Sequence, residues 1–232
     1  IDIHTGSNHR TNLPQIRACL DDKPTKALAR AFGAPVIVDA NLRDGSLRQA
    51  STERDVPTLL YEGGEALRFD EFAIRTGVRG ILNVMRFIGM LPPAKRERSD
   101  PQRAGHGDGR HDLEPYVARS TAWVRAPDSG IMRSTVRLGA SVDKGQRLGF
   151  ISDPLGHNEI EVFANATGVV IGHTNLPLVN EGDALFHIAT FDRLTSVEEQ
   201  ILAWREELQP KPPADVAPGE REPAILRDER VD

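Results

Sequence analysis

Short apolar runs and helix-like stretches alternate along the first ninety residues of the chain. Ile1 and Ile3 alternate with polar neighbours, as in a half-buried strand. Two compact apolar runs follow, PVIVDA at 35–40 and PTLLYE at 57–62, and helical stretches lie near 24–32 and 46–54. Strands that alternate with helices in this way predict an α/β fold.

A longer helical pattern extends from Glu65 to Met90. It predicts one long or broken helix that packs on the sheet, with Gly77 and Gly80 as its weak points. The apolar positions that define the helical spacing are Phe69, Phe72, Ala73, Ile81, Leu82, Met85 and Ile88.

The pattern changes to β-like runs in the second half of the chain. Residues 93–117 are charged and contain glycine, which predicts a mobile linker or exposed loop. Beyond them APDSGI at 126–131 is repeated as ANATGV at 164–169. The trio Val142, Gly145 and Leu148 recurs with identical spacing as Val179, Gly182 and Leu185. Two copies of one unit predict a small pseudo-symmetric β-barrel or sandwich over 118–191.

The end of the chain combines an amphipathic helix with a polar tail. Thr195 or Ser196 can cap a helix over 195–208, and Val197, Ile201 and Trp204 share one face of it. We expect this helix to dock on a neighbouring surface. The remainder is rich in proline and charge, which predicts disorder.

Composition narrows the class of protein. A hydrophobic content of 39% allows a packed core, and a net charge of -5 without a basic stripe argues against nucleic-acid binding. The longest apolar stretch, residues 80–91, is interrupted by Arg86, so no membrane span is predicted. The single cysteine, Cys19, cannot form an internal disulfide. We therefore predict a cytoplasmic protein without nucleic-acid or membrane partners.

His4 is the first residue that could carry chemistry. On a strand, Asp2 and His4 point to the same side, and the strand leads into turn-forming residues. A histidine at a strand end beside a polar loop is well placed to hold a metal ion. A single histidine is more often structural, so the spacing alone leaves both interpretations open.

Three ordered pieces carry a family resemblance: IDIHTG at 1–6, RTNLPQIR at 10–17, and GSLRQASTERDVPTLLYEGGEALR at 45–68. Their arrangement resembles the succinylglutamate desuccinylase and aspartoacylase family, whose fold is similar to that of zinc carboxypeptidases. The resemblance continues through the β-like segment to about residue 190.

The resemblance implies a division of the chain into four parts. Residues 1–92 would be the C-terminal part of an incomplete zinc-carboxypeptidase-like α/β domain, and residues 93–117 a flexible linker. Residues 118–191 would form a small all-β domain that resembles biotinyl and lipoyl carriers. Residues 192–232 would contain the helix and the disordered tail.

The resemblance also implies a role for each site residue. His4 maps onto one ligand of a catalytic Zn²⁺, and Glu62, in YEGG, maps onto the catalytic carboxylate. Arg48 resembles the family's substrate-binding arginine, with Arg10 and Arg43 as further candidates. Asp2 would orient His4 by accepting a hydrogen bond from it.

The resemblance departs from the family pattern at the metal site. The family's other two zinc ligands come from an upstream His-x-x-Glu motif, and no such motif precedes His4. Because a catalytic zinc ion normally has three protein ligands, we expect the N-terminal part of the catalytic domain to be absent from this chain.

The function implied is a zinc-dependent amidohydrolase that removes the acyl group from an N-acyl amino acid or a related small amine. The oligomeric state stays open, with a homo-oligomer among the alternatives. Two alternatives to the hydrolase also stay open: a non-catalytic adaptor that uses the β domain, and an inactive fragment of the hydrolase. A carrier function is disfavoured, because ISDPLGHNEIEV at 151–162 contains no lysine and Lys144 is the only one in the β domain.

Two further segments that contain histidine are weaker candidates for a functional site. The tract GHGDGRHD at 105–112 contains His106, Asp108, His111 and Asp112, but its glycines provide no rigid frame for a metal. We predict that it is a solvated loop. His157 lies in a predicted turn, where we expect it to be exposed.

Overall fold

The computed structural model describes residues 1–93, 115–191 and 197–208. Its first region contains β1 (Asp2–His4), β2 (Arg10–Ala18), α1 (Lys23–Phe32), β3 (Val36–Asp39), α2 (Leu47–Thr52), β4 (Leu60–Gly64) and α3 (Glu71–Phe87). Its second region contains β5 (Tyr116–Ala118), β6 (Ser120–Arg125), β7 (Gly130–Ser134), β8 (Ser141–Val142), β9 (Arg147–Ser152), β10 (Glu159–Phe163), β11 (Gly168–Thr174), β12 (Leu178–Val179), β13 (Ala184–Thr190) and α4 (Val197–Glu207).

One mixed sheet runs through both regions. Its order is β1-β4-β2-β11-β13-β6, with β3 beside β2, β5 beside β3, and β8 beside β11. The α/β pattern predicted for the first region is confirmed, and β2 is its centre because it pairs with β3, β4 and β11. The antiparallel β2–β11 pair, in which Asn12 lies opposite Gly172, joins the predicted catalytic segment to the β segment.

Each copy of the internal repeat contains a short strand that pairs with the other copy. β8 pairs with β11, which places Val142 opposite Gly168. The equivalent strand of the other copy, β12, pairs with β7 and places Val179 opposite Gly130. Each repeat therefore pairs with the start of the other, as its pseudo-symmetric sequence predicts.

The β segment is not a closed barrel in the described residues. Its strands divide between the large sheet and a second sheet of order β10-β9-β7-β12. The two sheets share one core, in which Leu148 and Ile151 of β9 pack with Val170, Phe186 and Ile188. This arrangement is a sandwich, the other alternative that the repeat predicted. The division of the chain at residues 93–117 stays a prediction.

The long helix α3 is continuous from Glu71 to Phe87. Asp70 caps it by accepting a hydrogen bond from the Ala73 amide at 3.0 Å. The two glycines that the sequence marked as weak points do not break it. A Cβ atom at Gly80 would overlap the Phe32 ring, and one at Gly77 would approach the Tyr61 ring to 3.1 Å. Both glycines let α3 pack closely on its neighbours.

The predicted amphipathic helix is present as α4 and docks as expected. Val197, Ile201 and Trp204 are buried, and Arg79 of α3 forms an ion pair with Glu207 at 2.8 Å. The predicted cap at Thr195 or Ser196, most of the predicted linker, and the predicted tail lie outside the described residues. No helix in the described ranges is long and apolar enough to cross a bilayer.

Candidate functional site

Strand register brings the two main site residues together. β1 lies parallel to β4, and His4 is the direct partner of Glu62. Paired residues on neighbouring strands point to the same face of the sheet. The side chain of His4 is about half exposed, at 48%, and that of Glu62 is 18% exposed. The residues that the family resemblance assigned to metal binding and catalysis are thus neighbours at one sheet edge.

Glu62 is held from its other side by β2. Its Oε2 atom accepts hydrogen bonds from Gln15 Nε2 at 3.2 Å, Arg17 Nη1 at 3.4 Å and Asn12 Nδ2 at 3.5 Å. A carboxylate with several donors, one of them charged, is fixed in orientation. Within the described residues its second oxygen, Oε1, accepts no hydrogen bond.

His4 has a carboxylate partner on its own strand. Its Nε2 atom lies 3.1 Å from Oδ2 of Asp2. A carboxylate only accepts hydrogen bonds, so a proton on Nε2 would face Asp2 and would leave the lone pair on Nδ1. This is the orientation expected from the sequence, and it leaves Nδ1 as the nitrogen that can bind a metal ion.

A cleft of about 760 Å³ opens over these side chains. β1, β4 and β2 contribute His4, Glu62 and Arg17, and residues 39–43 with the start of α2 form another wall. Arg43 and Arg48 also line it. The cleft therefore combines the imidazole of His4 with three carboxylates, those of Asp2, Asp39 and Glu62, and with three arginines whose guanidinium groups could bind an anionic group.

Arg48 is a buried member of this wall, with 6% of its surface exposed. Its guanidinium donates to the carbonyl oxygens of Ala40 and Asn41, each at 3.2 Å. Burial lowers the pKa of Arg48, and the nearby charges of Arg17 and Arg43 lower that pKa further. The side chain is thus held rigidly at the cleft. Its role as the substrate arginine stays a prediction.

Arg10, the second arginine expected to bind substrate, lies elsewhere on the sheet. It is not among the residues that line the cleft. Its guanidinium is stacked over the Trp123 ring at 4.7 Å, and its Nε atom is buried without a hydrogen-bond partner. Trp123 in turn stacks on His187, with ring centroids 4.2 Å apart.

His187 is a buried histidine that the sequence did not single out. Burial, reinforced by the charges of Arg17 and Arg10, lowers its pKa to about 3. Its ring is therefore neutral at neutral pH. Its β13 position lies opposite Gly172, which itself lies opposite Asn12, so His187 belongs to the sheet region beside Glu62.

The sequence analysis also gave no role to Gln15. Residues 10–18 form the central strand of the sheet, where both faces are covered and apolar residues are the rule. A strand that nevertheless carries Asn12, Gln15 and Arg17 is a sequence signal for a polar site. That signal could have identified the donors to Glu62.

The described residues do not form a complete metal site. Among residues 1–93, 115–191 and 197–208, no group of three or more His, Cys, Asp or Glu side chains could hold a metal ion. His4, with Asp2 in contact at 3.1 Å, is the position at which the family resemblance predicts one ligand. A His-x-x-Glu spacing does occur downstream, at His111 and Glu114, in a segment outside the described residues.

The two remaining histidine predictions have different outcomes. The tract at 105–112 lies outside the described residues. His157 is exposed, and its backbone amide donates to Asp153 at 3.0 Å in the turn between β9 and β10. It takes no part in the cleft.

Comparison with known families identifies the first segment. Residues 1–88 match the family model of the succinylglutamate desuccinylase/aspartoacylase catalytic domain. This match confirms the resemblance inferred from IDIHTG and YEGG. Comparison with curated proteins yields no match.

Solved structures of similar fold extend the likeness across both regions. A succinylglutamate desuccinylase/aspartoacylase from Rhodobacter sphaeroides is 24% identical, with a TM-score of 0.66 over 83% of this chain and 58% of its own. The product-bound ectoine utilization protein EutE (DoeB) from Ruegeria pomeroyi is 23% identical, with a TM-score of 0.65 over 82% and 57%. A succinylglutamate desuccinylase from Silicibacter sp. TM1040 is 20% identical, with a TM-score of 0.66 over 82% and 57%. This chain therefore shares their fold and spans a little more than half of their length.

Proposed function

We propose that this chain is a catalytic part of a zinc-dependent deacylase that hydrolyses the amide bond of N-acyl amino acids. One observation carries the proposal. His4 and Glu62 are register partners on adjacent strands, at the mouth of a cleft, in the segment that matches the catalytic domain of the family.

Glu62 is the general base of the proposed reaction. It would take a proton from the attacking water and return it to the leaving amine, a role that contributes about 100- to 10,000-fold to the rate. Its fixed orientation, with Oε2 held by donors from β2, suits a group that must transfer a proton in both directions.

His4 is the proposed metal ligand of this chain, through Nδ1. A bound zinc ion would supply acidified water and a polarised substrate carbonyl. Asp2 supports the ligand by keeping the proton on Nε2. The described residues provide this one ligand position, and the further ligands are not assigned.

The substrate class is proposed from the arginines that line the cleft, not from its net charge, since Asp2, Asp39 and Glu62 line it too. Arg17, Arg43 and Arg48 line it, and a guanidinium binds a carboxylate through paired N–H donors. An N-acyl amino acid carries at least one carboxylate. The names of two matched proteins contain succinylglutamate, which is an N-acyl amino acid of this kind. Arg48 is the proposed substrate anchor, and Arg10, which does not line the cleft, is not part of this proposal.

A turnover assay tests the proposal. The purified chain is supplied with zinc, and release of free amine is measured from a panel of N-acetyl and N-succinyl amino acids. Zinc-dependent release that is lost in Glu62→Gln supports a deacylase. Stoichiometric zinc binding without release from any substrate in the panel would contradict the activity of this chain and would favour the adaptor alternative.

A further inference from the structure

We infer that Gln15 is the positioning residue for Glu62, and that it leaves Oε1 of Glu62 as the oxygen that exchanges the proton. This inference rests on the proposed deacylase function. It assigns a task to a side chain that is 0% exposed and lies under the site in the middle of the sheet.

Strand pairing sets the contact between the two side chains. Gln15 is the direct register partner of Glu62 across the antiparallel β2–β4 pair. Its amide nitrogen donates to Oε2 at 3.2 Å, the shortest of the three hydrogen bonds that this oxygen accepts. Because Gln15 is enclosed on every side, its amide has little freedom to move away from the carboxylate.

An irregularity in β2 aims a second donor at the same oxygen. Asn12 and Gln15 are three positions apart, so they would face opposite sides of a regular strand. The register of β2 against β4 shifts between them, at the point where Pro14 removes a backbone donor. Such a bulge re-aims a side chain. Here it lets Asn12 reach Oε2 of Glu62 as well.

The other end of the Gln15 amide supports a functional reason for this residue. Its Oε1 atom is buried and has no hydrogen-bond partner in the described structure. A buried acceptor without a partner costs free energy, and an apolar side chain of the same length would avoid that cost. Stability alone therefore does not favour glutamine at this position, whereas orientation of the carboxylate does.

The donors define which oxygen of Glu62 is free. Gln15, Arg17 and Asn12 all donate to Oε2. Glu62 also lines the cleft beside His4. A proton from water therefore transfers to Oε1, whose lone pairs are not engaged by these donors, and leaves again from the same atom.

Two variants separate positioning from a structural role. Gln15→Met keeps the length of the side chain and removes both polar atoms. Gln15→Asn keeps a buried amide but withdraws it by one methylene group. We expect either change to lower kcat about 10- to 100-fold with KM changed less than twofold, since a small misplacement of a catalytic group costs about this much. The free energy of unfolding of Gln15→Met should equal or exceed that of the unaltered chain.

A double-mutant cycle and a control complete the kinetic test. In a Glu62→Gln background, Gln15→Met should cause no further loss of the residual rate, because the group it positions is already gone. Thr76→Val alters a buried polar residue whose hydroxyl donates within α3, and it should leave kcat unchanged. A full further loss in the double variant, or unchanged kcat in both Gln15 variants, would overturn the inference.

A spectroscopic readout keeps this inference separate from the proposed function. The side-chain carboxyl of Glu62 can be followed by ¹³C NMR in glutamate-labelled protein and assigned by its absence in Glu62→Gln. We expect this resonance to shift or broaden in both Gln15 variants and to stay in place in Thr76→Val. An inactive chain that still shows this shift would contradict the deacylase and not the positioning contact. An unmoved resonance would contradict the positioning contact, whether or not the chain turns over.

Discussion

Gly172 of β11 lies directly opposite Asn12 of β2, and a Cβ atom at Gly172 would come within 2.8 Å of the Asn12 side-chain oxygen. The same Cβ would lie 3.4 Å from the Cβ of His187. The absence of a side chain at this one position therefore lets the β segment approach the strand that orients Glu62. The second region of the chain shapes the candidate site through this contact.

Replacing this glycine tests the contact. Gly172→Ala should destabilise the protein by about 1–3 kcal/mol, the usual cost of forcing extra atoms into a packed site. It should also displace Asn12, which donates to Glu62. Urea unfolding measures the first effect. As a control, Gly172→Ala is repeated in an Asn12→Ala background, where the crowded side-chain oxygen is absent and the loss should be smaller. An equal loss in the two backgrounds would argue against the contact.

The proposed catalytic carboxylate, Glu62, gives the most direct prediction on activity. Glu62→Gln should lower turnover at least about 100-fold, because an amide cannot accept the proton. Zinc content should not change, since the variant keeps His4 and Asp2. Amine release and metal analysis on the same preparations check both parts. Undiminished turnover would remove Glu62 from its proposed role.

The two main residues of this site, which lie at or near strand ends, could be proposed from the sequence. His4 and Glu62 were predicted from the family resemblance of the short segments that contain them, and each lies at or near the end of a strand. The hydrogen bond of Gln15 was not predictable in the same way, because it depends on the pairing of two strands that places Gln15 opposite a residue 47 positions away. Arg10 illustrates the same limit: its place over Trp123 is set by pairing with the distant β segment.

The fold, like the site, was predictable only where it depends on local sequence pattern. Alternating strands and helices identified the α/β region, and the repeat identified the paired units of the β segment. Continuity of one sheet through β2 and β11 was not predictable, because neither strand carries a local signal for its partner. A sandwich and a barrel also share the same alternation of buried and exposed residues along each strand.

The packing of α3 predicts that alanine at its two glycines destabilises the protein to different extents. Gly80→Ala should destabilise the protein by about 1–3 kcal/mol, because its Cβ would overlap the Phe32 ring. Gly77→Ala should cost less, since its Cβ would approach Tyr61 only to 3.1 Å and alanine favours a helix by about 1 kcal/mol. Thermal and urea unfolding of the two variants measure the difference. A larger loss for Gly77→Ala would show that the packing at Phe32 is not the tighter one.

The support of His4 by Asp2 predicts an effect on metal affinity. Asp2→Asn should weaken zinc binding about 10- to 100-fold, the usual effect of removing the hydrogen-bond partner of a ligating histidine. His4→Ala should weaken it further. Competition with a chromophoric chelator measures both affinities. Equal affinity in the unaltered chain and in both variants would place the metal elsewhere.

His187 gives a prediction on pH. Burial and the charges of Arg17 and Arg10 lower its pKa to about 3 in the folded protein, against about 6.5 for an unperturbed histidine. Between these two values the unfolded chain binds a proton that the folded chain does not. The neutral ring therefore contributes stability that is fully present above about pH 6.5 and is lost as the pH falls toward 3.

A variant without the titrating ring measures this contribution. His187→Phe keeps a flat ring against Trp123 and cannot be protonated. Its unfolding free energy should fall by about 2 kcal/mol less than that of the unaltered chain between pH 7 and pH 5, because about 1.5 pH units of this range lie below the unfolded pKa and each contributes about 1.4 kcal/mol. His187→Gln controls for the loss of stacking, because it too has no titrating group and should show the same reduced pH dependence. If both variants lose stability with pH as steeply as the unaltered chain, His187 is not the group that the folded protein keeps neutral.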